Sequence, residues 1–132
     1  EGPTHWAHVG DCRLYLCRNG THVQITEDDT LAAFLVASGK LTREEARRDP
    51  SRHGLFECLG RGALEIKSGD FPVQQGDLLL LTSDGLHDEI SDEMVRSVVQ
   101  SALDLDGKLD QLVRLSKDAG GSDNITVIGV EI

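Results

Sequence analysis

Hydrophobic positions change their period several times along the 132-residue chain, and each change predicts an element. His5 to Val9 and Arg13 to Cys17 carry strand-type residues with Gly10-Asp11 between them, and the Asn19-Gly20 hairpin signal makes His22 to Thr26 the returning strand. From Thr30 the period becomes helical at Leu31, Phe34 and Leu35, with Gly39 as the stop. Thr42-Arg43-Glu44-Glu45 is a capping box that opens a second short helix, and Pro50 marks its end. Ala63 to Lys67 and Asp70 to Val73 then read as strand pieces around Ser68-Gly69.

The most apolar stretch, Leu78-Leu79-Leu80-Leu81, reads as a strand covered on both faces, bounded by Gly76-Asp77 before it and an Asp84-Gly85 turn after it. Ser91 caps a helix with Asp92 and Glu93 in its first turn, where the dipole favours negative charge. Its apolar stripe is Met94, Val95, Val98, Val99, Ala102 and Leu103. A further helix carries Leu109, Leu112, Val113 and Leu115 before Ala119-Gly120-Gly121, and Asp106-Gly107 reads as the turn joining the two helices. Asn124 to Val130 is the last strand. There is no internal repeat, low-complexity tract or linker.

Composition narrows the class. With 39% apolar residues and three prolines the chain suits one globular domain with a modest core. No run of about 18 apolar residues is present, so no membrane span is expected. No leader pattern and no initiator Met is found, and Glu1 reads as the remnant of a longer or cleaved chain. A net charge of −10 repels nucleic acid and anionic lipid. Arg43, Arg47, Arg48 and Arg52 are interleaved with Glu44, Glu45 and Asp49, the pattern of a solvated helix face. Cys12, Cys17 and Cys58 are odd in number and lack metal-site spacing, so buried reduced thiols in a cytoplasmic protein are expected. Cys12 beside Asp11 is disfavoured as a thiolate nucleophile, and no C-x5-R signature exists.

Candidate chemistry lies in the aspartates at strand ends. Asp84 follows one apolar strand and Asp123 precedes another, each in a glycine-containing segment, Ser83-Asp84-Gly85 and Gly120-Gly121-Ser122-Asp123-Asn124. If these strands are antiparallel neighbours, both carboxylates reach the same sheet edge, where hard oxygen ligands suit Mg²⁺ or Mn²⁺. Taken singly, each motif is also ordinary turn chemistry.

Together with Ala7-His8-Val9-Gly10-Asp11-Cys12-Arg13-Leu14-Tyr15, Ile25-Thr26-Glu27-Asp28-Asp29-Thr30, the Ala37 to Ala46 segment, Leu59-Gly60, Gly76 to Asp88 and Gly120 to Val127, they make the chain resemble bacterial metal-dependent protein serine/threonine phosphatases of type 2C. The resemblance covers essentially all of residues 1–132 and matches the C-terminal half of the catalytic domain. It implies an α+β fold, an antiparallel β-sandwich flanked by helices, and a helical flap over about residues 30–59 beside the site. It implies that Asp84 and Asp123 are ligands of a centre of two Mg²⁺ or Mn²⁺ ions, and that Asp11 and Asp88 hold a weaker third. The activity implied is hydrolysis of phosphoserine and phosphothreonine in proteins by metal-activated water, opposing a serine/threonine kinase.

Departures from the family pattern set further expectations. The upstream Asp-Gly-x-Gly-Gly motif and the phosphate-holding arginine are not in this chain, which is therefore expected to be inactive alone. It is expected either to pair with the missing N-terminal half or to self-associate through exposed sheet edges. Cys12 stands where the family usually has Ser, and Asp28-Asp29-Thr30 replaces a frequent Asp-His-Ser. The alternative reading is a non-catalytic phosphatase-like module that binds or regulates a partner. His87 is expected in a partly exposed loop, His5, His8, His22 and His53 on strand or turn surfaces, and Trp6 in core or edge packing.

Overall fold

The computed structural model describes residues 2–60 and 62–132. In chain order its elements are β1 (Pro3–His8), β2 (Arg13–Arg18), β3 (Thr21–Gln24), α1 (Leu31–Ala37), α2 (Arg43–Ala46), a 3₁₀ turn (Pro50–His53), β4 (Lys67–Pro72), β5 (Leu78–Thr82), α3 (Asp84–His87), α4 (Asp92–Val99), α5 (Leu105–Ala119) and β6 (Val127–Glu131). They divide into two compact units, one built from Arg13–Thr26 and Pro72–Ile132, the other from Pro3–Cys12 and Glu27–Phe71. No helix among the described residues is long and apolar enough to cross a membrane.

The first unit is a four-stranded antiparallel sheet of order β3-β2-β5-β6. Its β2–β3 hairpin turns on Asn19 and Gly20, with φ of 50° and 75°, the positive angles a two-residue primed turn requires. Side chains alternate across the strands, so one face carries Tyr15 level with Leu80 and Cys17 level with Leu78. That face forms the core with Leu86 of α3, Ile90, Val95 and Val98 of α4, and Leu112 of α5, all buried. Arg18 reaches Asp77, just before β5, with two bonds, Nε to Oδ1 at 2.8 Å and Nη2 to Oδ2 at 2.7 Å. These hydrogen bonds hold the buried Asp77 carboxyl below its usual range.

The opposite face brings Leu81 level with Leu14 and Ile128, and Leu79 level with Leu16 and Val130. Here the expectation of a strand covered on both sides holds for Leu78, Leu79 and Leu80 but fails at Leu81, which is exposed together with Ile128, Val130 and Val23. The α4 stripe is also narrower than expected. Val95 and Val98 are buried and Met94 is exposed, and because the helix ends at Val99, Ala102 and Leu103 fall beyond it. Asp106-Gly107 is not a turn between helices. Asp104 caps α5 by accepting the Gly107 N–H at 3.0 Å, so both residues lie in its first turn.

In the second unit β1 pairs with β4, and Trp6 lies so close over Gly69 that a Cβ there would meet the indole at 3.0 Å. β4 runs unbroken through Ser68-Gly69, so the expected break disappears, and Ala63 to Ile66 form no strand. Thr30 caps α1 by accepting the Ala33 N–H at 3.1 Å, and Gly39, with φ of 73°, follows its end as expected. The Thr42–Glu45 capping box is present. Pro50 does not end α2, which stops at Ala46; it opens the 3₁₀ turn, where its missing N–H costs nothing, capped by Asp49. Phe34 and Phe56 meet edge to face at 5.9 Å, and both remain exposed.

Candidate metal centre

β5 delivers Asp84 to the start of α3, and β6 runs over Val127–Glu131, so it begins after Asp123 but later than the Asn124 start expected. The two strands are antiparallel neighbours with Thr82 level with Val127, as the sequence reading required. Ser83 fastens their ends together. Its N–H donates to the Thr126 carbonyl at 3.0 Å, its Oγ accepts the Thr126 N–H at 3.0 Å, and the same hydroxyl donates to the Asn124 carbonyl at 3.3 Å. Gly85 presses against the same loop, since a Cβ on it would stand 2.3 Å from the Asn124 carbonyl oxygen. Both chain neighbours of Asp84 therefore touch the residue next to Asp123. Asp84-Gly85 is not a free turn but the first turn of α3, with Ser116 of α5 donating its hydroxyl to the Gly85 carbonyl at 2.6 Å.

Each carboxylate is half committed. Asp84 Oδ1 accepts the Gly85 N–H at 2.9 Å, and Asp123 Oδ1 accepts the Asn124 N–H at 2.7 Å. These bonds orient the groups and leave Oδ2 of each without a hydrogen bond from a described residue. Asp88 follows one helical turn after Asp84, its N–H donating to the Asp84 carbonyl at 2.9 Å.

Sequence reasoning missed Glu89. Its Oε1 accepts the Ser122 N–H at 3.1 Å and the Ser122 hydroxyl, gripping the loop one residue before Asp123. A glutamate one position beyond the S-D-G-x-x-D pattern carries no signal of its own, because its partner lies 33 residues away. His87 is a correction. It is buried in α3, not exposed in a loop, with Nδ1 3.3 Å from the Thr82 hydroxyl.

Asp11 belongs to the second unit, in a tightly held turn. Gly10, with φ of 95°, donates its N–H to Asp29 Oδ2 at 3.0 Å and accepts the Asp29 N–H at 2.8 Å. The buried Asp29 also pairs with Lys67 Nζ at 2.5 Å and accepts the Phe56 N–H on its carbonyl at 2.7 Å. His8 Nε2 donates to the Cys12 carbonyl at 2.7 Å. His8 is buried, against the surface position expected, and Cys12 is exposed although its thiol was expected inside. His22 also departs from its expected surface place, being half-buried with its ring 5.1 Å from Tyr15, whereas His5 and His53 are exposed.

The donor chemistry at Asp84 and Asp123 fits a hard divalent cation, which takes few carboxylates and keeps several waters. Among the described residues no three His, Cys, Asp or Glu side chains converge as a closed cage.

No protein-family model matches the sequence. The chain is 39% identical over 123 residues to the protein phosphatase PhpP of Streptococcus pneumoniae, covering 92% of this chain and 50% of that protein. The structure superimposes on the serine/threonine phosphatase PstP/Ppp of Mycobacterium tuberculosis with a TM-score of 0.91 at 36% identity, over 97% of this chain and 54% of that one. It also matches the PstP catalytic domain in complex with two manganese ions, with a TM-score of 0.87 at 35% identity, over 96% and 52% of the respective chains. The chain thus spans about half the length of the relatives it matches, consistent with a C-terminal half. Over that half, its sequence and its helix-flanked antiparallel fold match those of type 2C (PPM) protein serine/threonine phosphatases.

Proposed function

We propose that the chain is part of a Mg²⁺- or Mn²⁺-dependent phosphatase that removes phosphate from phosphoserine and phosphothreonine in proteins, with Asp84 and Asp123 as ligands of the paired cations. The observation that carries this reading is the seating of Ser83 and Gly85, on either side of Asp84, against Asn124 beside Asp123. Divalent cations supply a water of lowered pKa and offset charge on the phosphoryl oxygens. The protein's own part is to aim two carboxylates and keep one oxygen of each available. At a net charge of −10 the chain repels a phosphorylated substrate until cations offset the carboxylates. By family resemblance, Asp11 and Asp88 serve a third cation and the 30–59 segment serves as a flap.

The exposed row of Leu81, Ile128 and Val130 supports the view that the remaining half of the domain, or a second copy, covers this face. By the same family resemblance, the isolated chain, which carries no Asp-Gly-x-Gly-Gly motif, is inactive alone, and the parent phosphatase opposes a serine/threonine kinase. A non-catalytic binding module is the competing reading, and what favours it is that no three metal-binding side chains converge among the described residues.

Manganese-dependent hydrolysis of p-nitrophenyl phosphate by the catalytic domain containing this chain distinguishes the two. Activity abolished by Asp84→Asn and by Asp123→Asn supports the phosphatase reading. Full activity in either variant removes the proposed site.

A further inference from the structure

The side chain that holds the Asp123 loop is not one of the motif aspartates. Glu89 Oε1 takes both the amide and the hydroxyl of Ser122, and charge-assisted bonds of this kind are about twice as strong as neutral ones. Its Oε2 occupies the space beside Gly120, where a Cβ would stand 2.6 Å from it. Gly120 has φ of 164°, an extended value open to any residue, so what the glycine provides is room for the carboxylate. The loop is consequently held on both sides of Asp123, by Glu89 at Ser122 and by Ser83 and Gly85 at Asn124.

We infer that Glu89 is a positioning residue for Asp123, holding the Gly120-Gly121-Ser122 approach so that the Asp123 carboxylate is oriented before a cation arrives. The inference rests on the reading of Asp123 as a metal ligand. Without the clamp, two adjacent glycines would leave the loop to be ordered at the moment of binding, and that entropy would be subtracted from the affinity. With it, the ordering is done during folding.

The test is Mn²⁺ affinity, measured by titration calorimetry on the catalytic domain containing this chain, with near-ultraviolet circular dichroism reporting the fold. Glu89→Ala should weaken binding by about tenfold or more, the range seen when groups supporting a ligand are removed. Gly120→Ala should do the same by displacing the carboxylate while keeping its charge, so the outcome does not depend on one variant folding. Glu89→Gln keeps an oxygen acceptor for Ser122 and should stay within about threefold of the parent. Parent-like affinity in Glu89→Ala and Gly120→Ala, alongside lost affinity in Asp123→Asn, overturns the inference and leaves the metal site standing. Glu89→Gln as weak as Glu89→Ala also overturns it, by making Glu89 a ligand. Parent-like affinity in Asp123→Asn defeats the metal reading itself.

Discussion

Gly85 on α3 and Asn124 ahead of β6 are packed so tightly that a Cβ on Gly85 would lie 2.3 Å from the Asn124 carbonyl oxygen. That oxygen is backbone and cannot swing aside. Gly85→Ala is therefore expected to force the two segments apart at a cost of about 1–3 kcal/mol, the range for overpacking a filled site. Mn²⁺ affinity should fall with it. Urea unfolding and metal titration check the pair of effects, and a variant with parent values in both would show that the tight seating of Gly85 on Asn124 is dispensable.

Asp29 ties the turn carrying Asp11 to Lys67 and to the backbone at Phe56. Its carboxylate is buried, so Asp29→Ala removes the acceptor of the Gly10 N–H and the anion paired with the Lys67 ammonium, which keeps its bond to the Glu27 carbonyl at 3.4 Å. The expected loss is about 3 kcal/mol, at the low end for breaking a buried pair because Lys67 remains partly hydrated. Lys67→Met should cost less than Asp29→Ala. Equal unfolding midpoints for Asp29→Ala and the parent would refute the role.

His22 is half-buried against Tyr15, and neither ring nitrogen has a hydrogen-bond partner among the described residues. Burial lowers its pKa from 6.5, opposed by Asp92 and reinforced by Arg96 of α4. Below pH 6.5 the unfolded chain takes up a proton that the folded one resists, so stability falls as pH drops from 6.5 through the folded value. His22→Phe should flatten this acid limb. Urea midpoints at pH 5 and pH 7.5 measure it, and an unchanged difference between them would sink the prediction.

Burial pushes the Cys17 thiol up from 9.0 to about 11, with Lys108 opposing the shift. Here the folded state keeps a proton that the unfolded state loses, so stability is intact below pH 9 and declines toward pH 11, by at most about 1.4 kcal/mol per pH unit. Cys17→Ala should remove this contribution to the alkaline limb, leaving that of other groups. Parallel denaturation curves for both proteins across that range would count against it.

Leu81, Ile128 and Val130 form an exposed apolar row on one sheet face. The chain expressed alone should therefore associate at micromolar concentration, and Leu81→Lys with Ile128→Lys should reduce the association. Sedimentation velocity decides it, since a monodisperse monomer of the unmodified chain contradicts the expectation.

Much of this protein was legible in the residue order, because the signals concerned are local. The Asn19-Gly20 hairpin, the Thr42 and Ser91 caps and the four-leucine strand depend on backbone chemistry within a few residues, whereas the pairing of β5 with β6, which the sequence left as a condition, was decided by the fold. Asp106-Gly107 was misread because its turn-like composition is overridden once Asp104 caps α5, and Ser68-Gly69 because pairing with β1 carries β4 straight through it. Only the tertiary structure decided that His87 is buried, that Leu81 is not, and that Glu89 reaches Ser122 across 33 residues. Burial and long-range clamps depend on which surfaces meet, and no periodicity along a single chain encodes that.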